Sequence, residues 1–293
     1  MAYYSGSAVD MAAVRTALVN ACTAEGWSWD GGNEVLSKGS IYVRLRVVSG
    51  YLELLGRTAA VSGDAPSVVR IGQLAATPVT YPAAYEIFVF DTEVYLVINY
   101  SVDYYQWCAF GISNVEGLPG TGMWLGATLE ANNPTGISIT NSDGNETSNT
   151  VTPALFWATR IQLGSRNRNC YVNSGLDSEG WNLTLAGSNI QIGVSHLVPL
   201  IALLPNSWNS EAVLLPIRCY KPRPSSKISL IADLEHARYT RVDNYLPGQV
   251  IVIGDDRWKV FPWYLKNTAG RNGGNGGISH TGTFGWAIRY EGP

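Results

Sequence analysis

The C-terminal stretch RNGGNGGISHTGTFGWAIRY combines two glycine pairs with a histidine, which suggests a phosphate-binding loop or a catalytic base. Phosphate loops use glycine so that backbone N–H groups approach the anion, and a helix follows at once. Here the run TFGWAIRY has the pattern of a strand, and no Lys-Ser or Lys-Thr pair accompanies the glycines. We therefore interpret Gly273, Gly274, Gly276 and Gly277 as a flexible docking loop that delivers a closing strand, and His280 as a turn residue.

Paired carboxylates are the second group of residues that suggests chemistry. Glycoside hydrolysis needs two carboxyl groups across a sugar-binding cleft, one of them kept protonated by an apolar pocket. Asp255 and Asp256 form one pair, and Asp91 and Glu93 form another. Both pairs lie at predicted hairpin turns, where Asp is favoured because its side chain caps the local backbone. We predict no catalytic residue and no enzyme activity, and a cell-wall hydrolase that uses Asp255 and Asp256 stays as a lesser alternative.

Tryptophan is unusually abundant, with 10 copies in the chain. An exposed aromatic surface stacks on sugar rings, whereas a covered one belongs to a core or to a subunit interface. Both possibilities stay open at this stage. The candidate interface or ligand-platform residues are Trp107, Trp124, Trp258, Trp263 and Trp286, since tryptophan often anchors interfaces.

Cysteine spacing argues against a metal site. Cys22, Cys108, Cys170 and Cys219 are widely separated, with no CxxC pair and no neighbouring histidine. We interpret them as reduced, packed thiols and predict no metal and no cofactor.

The elements that must position these residues are mainly strands. Met11, Val14, Leu18 and Cys22 recur at helical spacing, with Ser7 or Asp10 to cap the helix and Gly26 to end it. Alternating strand patterns follow in SIYVRLRVVSGYLELLGR, with a turn at Ser-Gly, and in AYEIFVFDTEVYLVINYSVDYYQWCAFGIS, with a turn at Asp-Thr.

Beyond these strands the composition changes to Gly, Asn, Ser and Thr, and we expect long loops that project outward. The segment KPRPSS, residues 221–226, has the composition of a stiff connector. After it, strand and turn patterns predict a small β-barrel or sandwich.

These patterns predict a mainly β fold with a minor α component, in three parts. An N-terminal α+β module (1–117) packs a helix on an antiparallel sheet, a loop-rich middle follows (118–220), and a C-terminal β module (221–293) ends the chain.

Charge and hydropathy exclude several partners. Only 15% of residues are charged and the formal net charge is −3, so no clustered basic face for nucleic acid is predicted. The longest apolar run, VSHLVPLIALLP, is too short and broken to span a bilayer, and no secretory signal is visible, so we expect a protein made in a cytoplasm. Few charges with many aromatics indicate surface that another chain covers, and so a homo-oligomer.

The order of several motifs is familiar. YYSGSAVDMAAVRTALVNACTAEGWSWDG, VLSKGSIYVRL, NYSVDYYQWCAFG, GLPGTGMWLGA, GDDRWKVFPWYLKN and HTGTFGWAIRY occur in that order. This order resembles a group of tailed-bacteriophage virion proteins, over residues 1–125 and roughly the last 60 residues. The resemblance implies a structural role in the phage tail or baseplate, with other virion proteins as partners, and assembly in the host cytoplasm.

We therefore expect a non-enzymatic virion subunit that acts through protein–protein contacts in a symmetric assembly. The alternative is a module that binds a glycan or receptor on the host surface, through tryptophan platforms and the Asn-rich loop at residues 131–150.

Overall fold

The computed structural model describes residues 1–73, 78–131, 154–157, 169–184, 211–266 and 284–293. The described residues form one α-helix, α1 (Met11–Ala24), a single 3₁₀ turn (Leu176–Ser178) and three antiparallel sheets. The predicted mainly β fold is confirmed.

A seven-stranded sheet, the central sheet, has the order β1-β7-β8-β9-β10-β12-β13 among the described strands. Its strands are β1 (Ala2–Ala8), β7 (Ala83–Val89), β8 (Glu93–Ser101), β9 (Tyr104–Ile112), β10 (Met123–Ala127), β12 (Cys170–Asn173) and β13 (Trp181–Leu183).

Two further sheets have the orders β11-β6-β5-β4-β3-β2 (the N-terminal sheet) and β14-β15-β18-β17-β16 (the C-terminal sheet). The N-terminal sheet comprises β2 (Ser28–Asp30), β3 (Val35–Lys38), β4 (Ile41–Val48), β5 (Tyr51–Arg57), β6 (Val69–Gly72) and β11 (Leu129–Glu130). The C-terminal sheet comprises β14 (Leu215–Arg223), β15 (Lys227–Arg241), β16 (Val250–Ile253), β17 (Asp256–Pro262) and β18 (Phe284–Arg289).

The central sheet lies between the other two, because alternate side chains of each strand enter different cores. In β8, Val94 and Leu96 pack with α1 and the N-terminal sheet, whereas Tyr95 and Val97 pack against the C-terminal sheet. A strand buried on both faces needs apolar residues at successive positions. This explains the continuous apolar run VYLVI in β8.

The predicted helix and first meander are confirmed. Asp10 caps α1 by accepting a hydrogen bond from the Ala13 N–H at 2.7 Å. The predicted apolar face of the helix is buried against the N-terminal and central sheets. Ser49 and Gly50 join β4 to β5 with φ of 50° and 81°, the positive values that a tight two-residue hairpin turn requires.

Part of the predicted outward loop is wrong. Residues 123–127 form β10, and every one of its side chains is buried. A Cβ at Gly126 would lie 2.7 Å from Leu155 Cδ1 and 2.8 Å from Cys170 Sγ, so glycine here allows close packing rather than a turn. Leu129 and Glu130 form β11, so they too lie in a sheet. Residues 132–150 of the predicted loop lie outside the described residues.

The predicted connector is also wrong. Lys221 and Pro222 pair with Ser229 and Ile228 across β14 and β15, and the chain turns through Ser225 and Ser226, both at positive φ. The segment is therefore a hairpin, and the predicted boundary at residue 220 falls inside β14.

The C-terminal strands and turns match the sequence pattern, including the turn before Asp256. The described strands of this sheet do not close into a barrel, and they pack on the central sheet as one layer of a sandwich.

Candidate functional site

The carboxylate of Glu93 lies inside the fold, and its side chain is 0% exposed. Glu93 begins β8 directly after the turn at Asp91 and Thr92, and it lies on the same face of the strand as Tyr95. Gly111 stands opposite Glu93 on β9, where a Cβ would come within 2.9 Å of Glu93 Cγ. The glycine therefore makes room for the buried carboxylate.

Glu93 accepts four hydrogen bonds. Its Oε1 accepts from the Glu235 N–H at 3.0 Å. Its Oε2 accepts from the Tyr95 hydroxyl at 2.8 Å, and from the backbone N–H and Nδ1 of His236, both at 2.9 Å. An ionised carboxylate only accepts, so the proton of a neutral His236 lies on Nδ1.

Three of the four donors come from a bulge in β15. Arg218 of β14 pairs with Asp233, but Pro216 pairs with Arg238, so Leu234–Ala237 stand opposite a single residue of β14. Such a bulge removes several backbone groups from the ladder, and they need other partners when buried. Glu93 supplies the acceptor for two of its N–H groups.

Arg238 supplies the donors for the same bulge. Its Nη1 donates to the carbonyl oxygens of Leu234 at 2.9 Å, Glu235 at 2.8 Å and Ala237 at 2.7 Å. Glu93 thus accepts hydrogen bonds from N–H groups of this segment, and Arg238 donates hydrogen bonds to its carbonyl groups. We name Glu93, Tyr95, His236 and Arg238 the bulge clamp.

The geometry resembles half of a catalytic triad, because a carboxylate orients an imidazole through Nδ1. Catalysis would need a nucleophile near Nε2. In the described ranges Nε2 has no hydrogen bond to a hydroxyl or thiol, and its polar neighbour is Glu235 Oε1 at 3.9 Å. The ring stacks on Phe90 with centroids 3.8 Å apart, and 14% of the side chain is exposed. The arrangement can fasten β15 to β8, and among the described residues it has no group positioned to attack a substrate.

Tyr95 stays a donor in this cluster. Burial raises the pKa of its hydroxyl well above the ordinary value, and the adjacent Glu93 carboxylate adds to the increase. The neutral hydroxyl can therefore donate to Glu93 across the physiological pH range.

The five candidate tryptophans are core residues, which corrects the surface role that we assigned to them. Trp107 and Trp124 of the central sheet and Trp263 and Trp286 of the C-terminal region are 0–2% exposed. Trp263 and Trp286 stack with centroids 4.9 Å apart, and Trp107 lies 5.2 Å from Trp286. Trp258 is 5% exposed, on the other face of the C-terminal sheet. The four in the core between the central and C-terminal sheets stabilise that contact, and none of the five presents an exposed ring on which a sugar could stack.

The other predicted sites fall in three places. The turn prediction is confirmed for Asp255 and wrong for Asp256, which is the first residue of β17 and forms an ion pair with Arg289 at 2.7 Å. The side chain of Asp91 is 98% exposed, far from the burial of Glu93, so that pair does not share a pocket. The docking loop, Gly273, Gly274, Gly276 and Gly277, lies outside the described residues, as does His280.

None of the four cysteines forms a disulfide bond, and all four are buried. Burial raises the pKa of Cys22 and Cys108 far above the ordinary value, and raises that of Cys170 to about 12. Within the ranges that the structure describes, no group of three or more His, Cys, Asp and Glu could hold a metal. No helix in those ranges is long and apolar enough to cross a membrane.

The sequence marked Glu93 as one of a carboxylate pair, but the prediction that it lies at a turn is wrong, because it is the first residue of β8 and is fully buried. Its partners were missed. His236 and Arg238 lie more than 140 residues away in the chain, and no local motif marks them. The usable signal was the spacing of Glu93 and Tyr95, two polar-tipped residues on one face of a strand whose neighbours are all apolar.

Comparison with known proteins adds no family assignment: no protein-family model matches the chain, and no curated protein matches it.

Proposed function

We propose that the chain is a non-enzymatic structural subunit of a tailed-phage virion, in the tail or baseplate, and that it works through protein–protein contacts. The motif order described above supports the phage assignment. The bulge clamp supports a structural role, since the buried Glu93 carboxylate binds two backbone N–H groups and the His236 ring of the chain itself. That observation carries the proposal.

An edge of the C-terminal sheet supports assembly. β16 is the last strand on one side among the described strands, and its four residues are Val-Ile-Val-Ile. Val252 is 68% exposed and Ile253 is 37% exposed, and Leu246 before the strand is 75% exposed. Edges that stay unpaired usually carry charge, proline or bulges. The opposite edge, β14, has Pro216, Pro222 and two register shifts, so the contrast favours β16 as the pairing edge.

The proposed contact is β16 against β16 of a second copy, an antiparallel pairing that a two-fold axis generates. It would join two C-terminal sheets into one continuous sheet.

The test is the solution mass of the purified protein and of Val252→Lys, measured by light scattering. We expect an oligomer for the unaltered chain and a smaller species for Val252→Lys, because a lysine on the edge opposes strand addition. Val102→Lys is the matched control: Val102 is 84% exposed in the turn between β8 and β9, away from the edge. A monomeric unaltered chain would contradict the homo-oligomer, and equal masses for both variants would contradict the β16 contact.

A further inference from the structure

Three arginines share one glutamate at the rim of the N-terminal sheet. Glu34 Oε1 lies 2.9 Å from Arg15 Nη1, and Glu34 Oε2 lies 3.5 Å from Arg46 Nε and 4.0 Å from Arg44 Nη2. Arg15 comes from α1, and the other two lie on one face of β4. We name these four residues the arginine cluster.

The cluster carries a surplus of positive charge. Three guanidinium groups against one carboxylate leave a local charge of +2 (three minus one), in a chain whose net charge is −3. Arg218, by contrast, is matched by the single carboxylate of Asp233 at 3.0 Å. This excess positive charge must therefore be either solvated by water or balanced by a further anion.

The arginines are accessible enough to meet such an anion. The side chains of Arg15, Arg44 and Arg46 are 28%, 30% and 47% exposed. Arg44 Nε is shielded from solvent and has no hydrogen-bond partner among the described residues. An incoming carboxylate would therefore meet the terminal nitrogens of the exposed guanidinium groups and not this Nε.

The neighbouring acids limit the size of the ligand. Glu53 stands opposite Arg46 across β4 and β5 and lies 4.0 Å from Arg70. Asp30 stands at the end of the same β2–β3 hairpin, where it accepts from Gly32 and Asn33. These flanking carboxylates would repel a long polyanion, so the cluster suits one or two carboxylates and not a continuous phosphate chain.

We propose that the arginine cluster is a docking site for a short acidic segment of another protein chain. Glu34 shows that the geometry already accepts a carboxylate, and the planar guanidinium forks favour that group. The site is separate from the β16 edge, so either proposal can fail while the other stands.

The experiment measures binding of a labelled peptide with two adjacent glutamates by fluorescence anisotropy, with the glutamine peptide as ligand control. Arg46→Gln should weaken binding about fivefold, which is the usual scale for one surface charge. Arg218→Gln is the matched control, since Arg218 is 44% exposed but has its own carboxylate. It should bind like the unaltered chain.

Glu34→Gln should act in the opposite direction and tighten binding about fivefold, because it removes the competing carboxylate. Raising the ionic strength from about 0.01 M to about 0.15 M should weaken binding, as the screening length falls from about 30 Å to about 8 Å.

Equal affinities for Arg46→Gln and Arg218→Gln would overturn the proposal, as would unchanged binding by a folded Glu34→Gln. If Glu34→Gln does not fold, the comparison of Arg46→Gln with Arg218→Gln tests the proposal by itself. Tighter binding of inorganic polyphosphate than of the peptide would overturn the choice of a protein partner.

Discussion

Among single residues, Glu93 separates a structural role from a catalytic one. A catalytic acid is usually held at a cost to stability, so its removal leaves the fold intact or more stable. A buried carboxylate with four donors does the reverse, since its loss leaves those donors without an acceptor.

The first prediction follows from this difference. Glu93→Gln should lower the free energy of unfolding by about 3 kcal/mol, because the amide places a donor against donors. Urea denaturation measures the change. Asp91→Asn, two residues away but 98% exposed, should change it by less than about 0.5 kcal/mol. Equal changes in the free energy of unfolding for the two substitutions would contradict the structural role of the bulge clamp.

A second residue-level prediction concerns the thiols. The thiolate is the reactive form of cysteine, and burial raises the pKa of Cys170 to about 12 and those of Cys22 and Cys108 further. At pH 8 the native protein should therefore react slowly or not at all with a thiol-specific disulfide reagent. Unfolding in urea should expose all four thiols. Rapid labelling of the native protein would show that the cores open readily.

Among the helices and strands, the sequence predicted those elements best whose apolar residues recur with a single period. The helix from Met11 and the hairpins at Ser49 and Asp91 follow from local periodicity and turn chemistry. β10 was missed because MWLGA lies among glycines and asparagines, and glycine near turn residues normally indicates a loop. Its close contacts come from chain segments far away, which no local pattern contains.

The bulge clamp was out of reach for the same reason. β15 has an ordinary strand pattern, and its bulge becomes visible only from the register against β14. The tryptophans show a further limit, since abundance does not tell whether a side chain lies outside or between two sheets.

The element-level prediction uses Gly126. A methyl group there would meet Leu155 and Cys170 at less than 3 Å, so Gly126→Ala should lower the free energy of unfolding by about 1–3 kcal/mol. Gly180→Ala is the control, because nothing lies within 4 Å of a Cβ at that position. Thermal unfolding of both variants measures the difference, and a Gly126→Ala protein as stable as the control would mean that β10 is not packed between the sheets.

At the scale of the whole molecule, the contacts between the central and C-terminal sheets stabilise the fold. Beside the tryptophans, Lys259 of β17 forms an ion pair with Glu86 of β7 and bonds the Tyr3 hydroxyl at 2.9 Å. Burial works against the charge of Lys259, but its bonds to Glu86 and Tyr3 outweigh that effect and raise its pKa. Burial also raises the pKa of Tyr3.

Stability should consequently depend on alkaline pH. A pKa that is raised in the folded state gives stability that is complete below the unfolded value, near 10 for both groups, and lost as the pH rises through the folded value. We expect the free energy of unfolding to fall above about pH 10. Lys259→Met should be less stable than the unaltered chain at pH 7. The difference in free energy of unfolding between the two proteins should become smaller at high pH. A constant gap across that range would contradict the role of this ion pair.

The central claim is that the chain is a structural part of a phage tail. Its most direct test is electron microscopy of intact particles labelled with gold-conjugated antibody against the purified protein. We expect label on the tail or baseplate of every well-preserved particle. Unlabelled particles, with the same antibody detecting the protein in infected cells and binding it in its folded form, would contradict the claim.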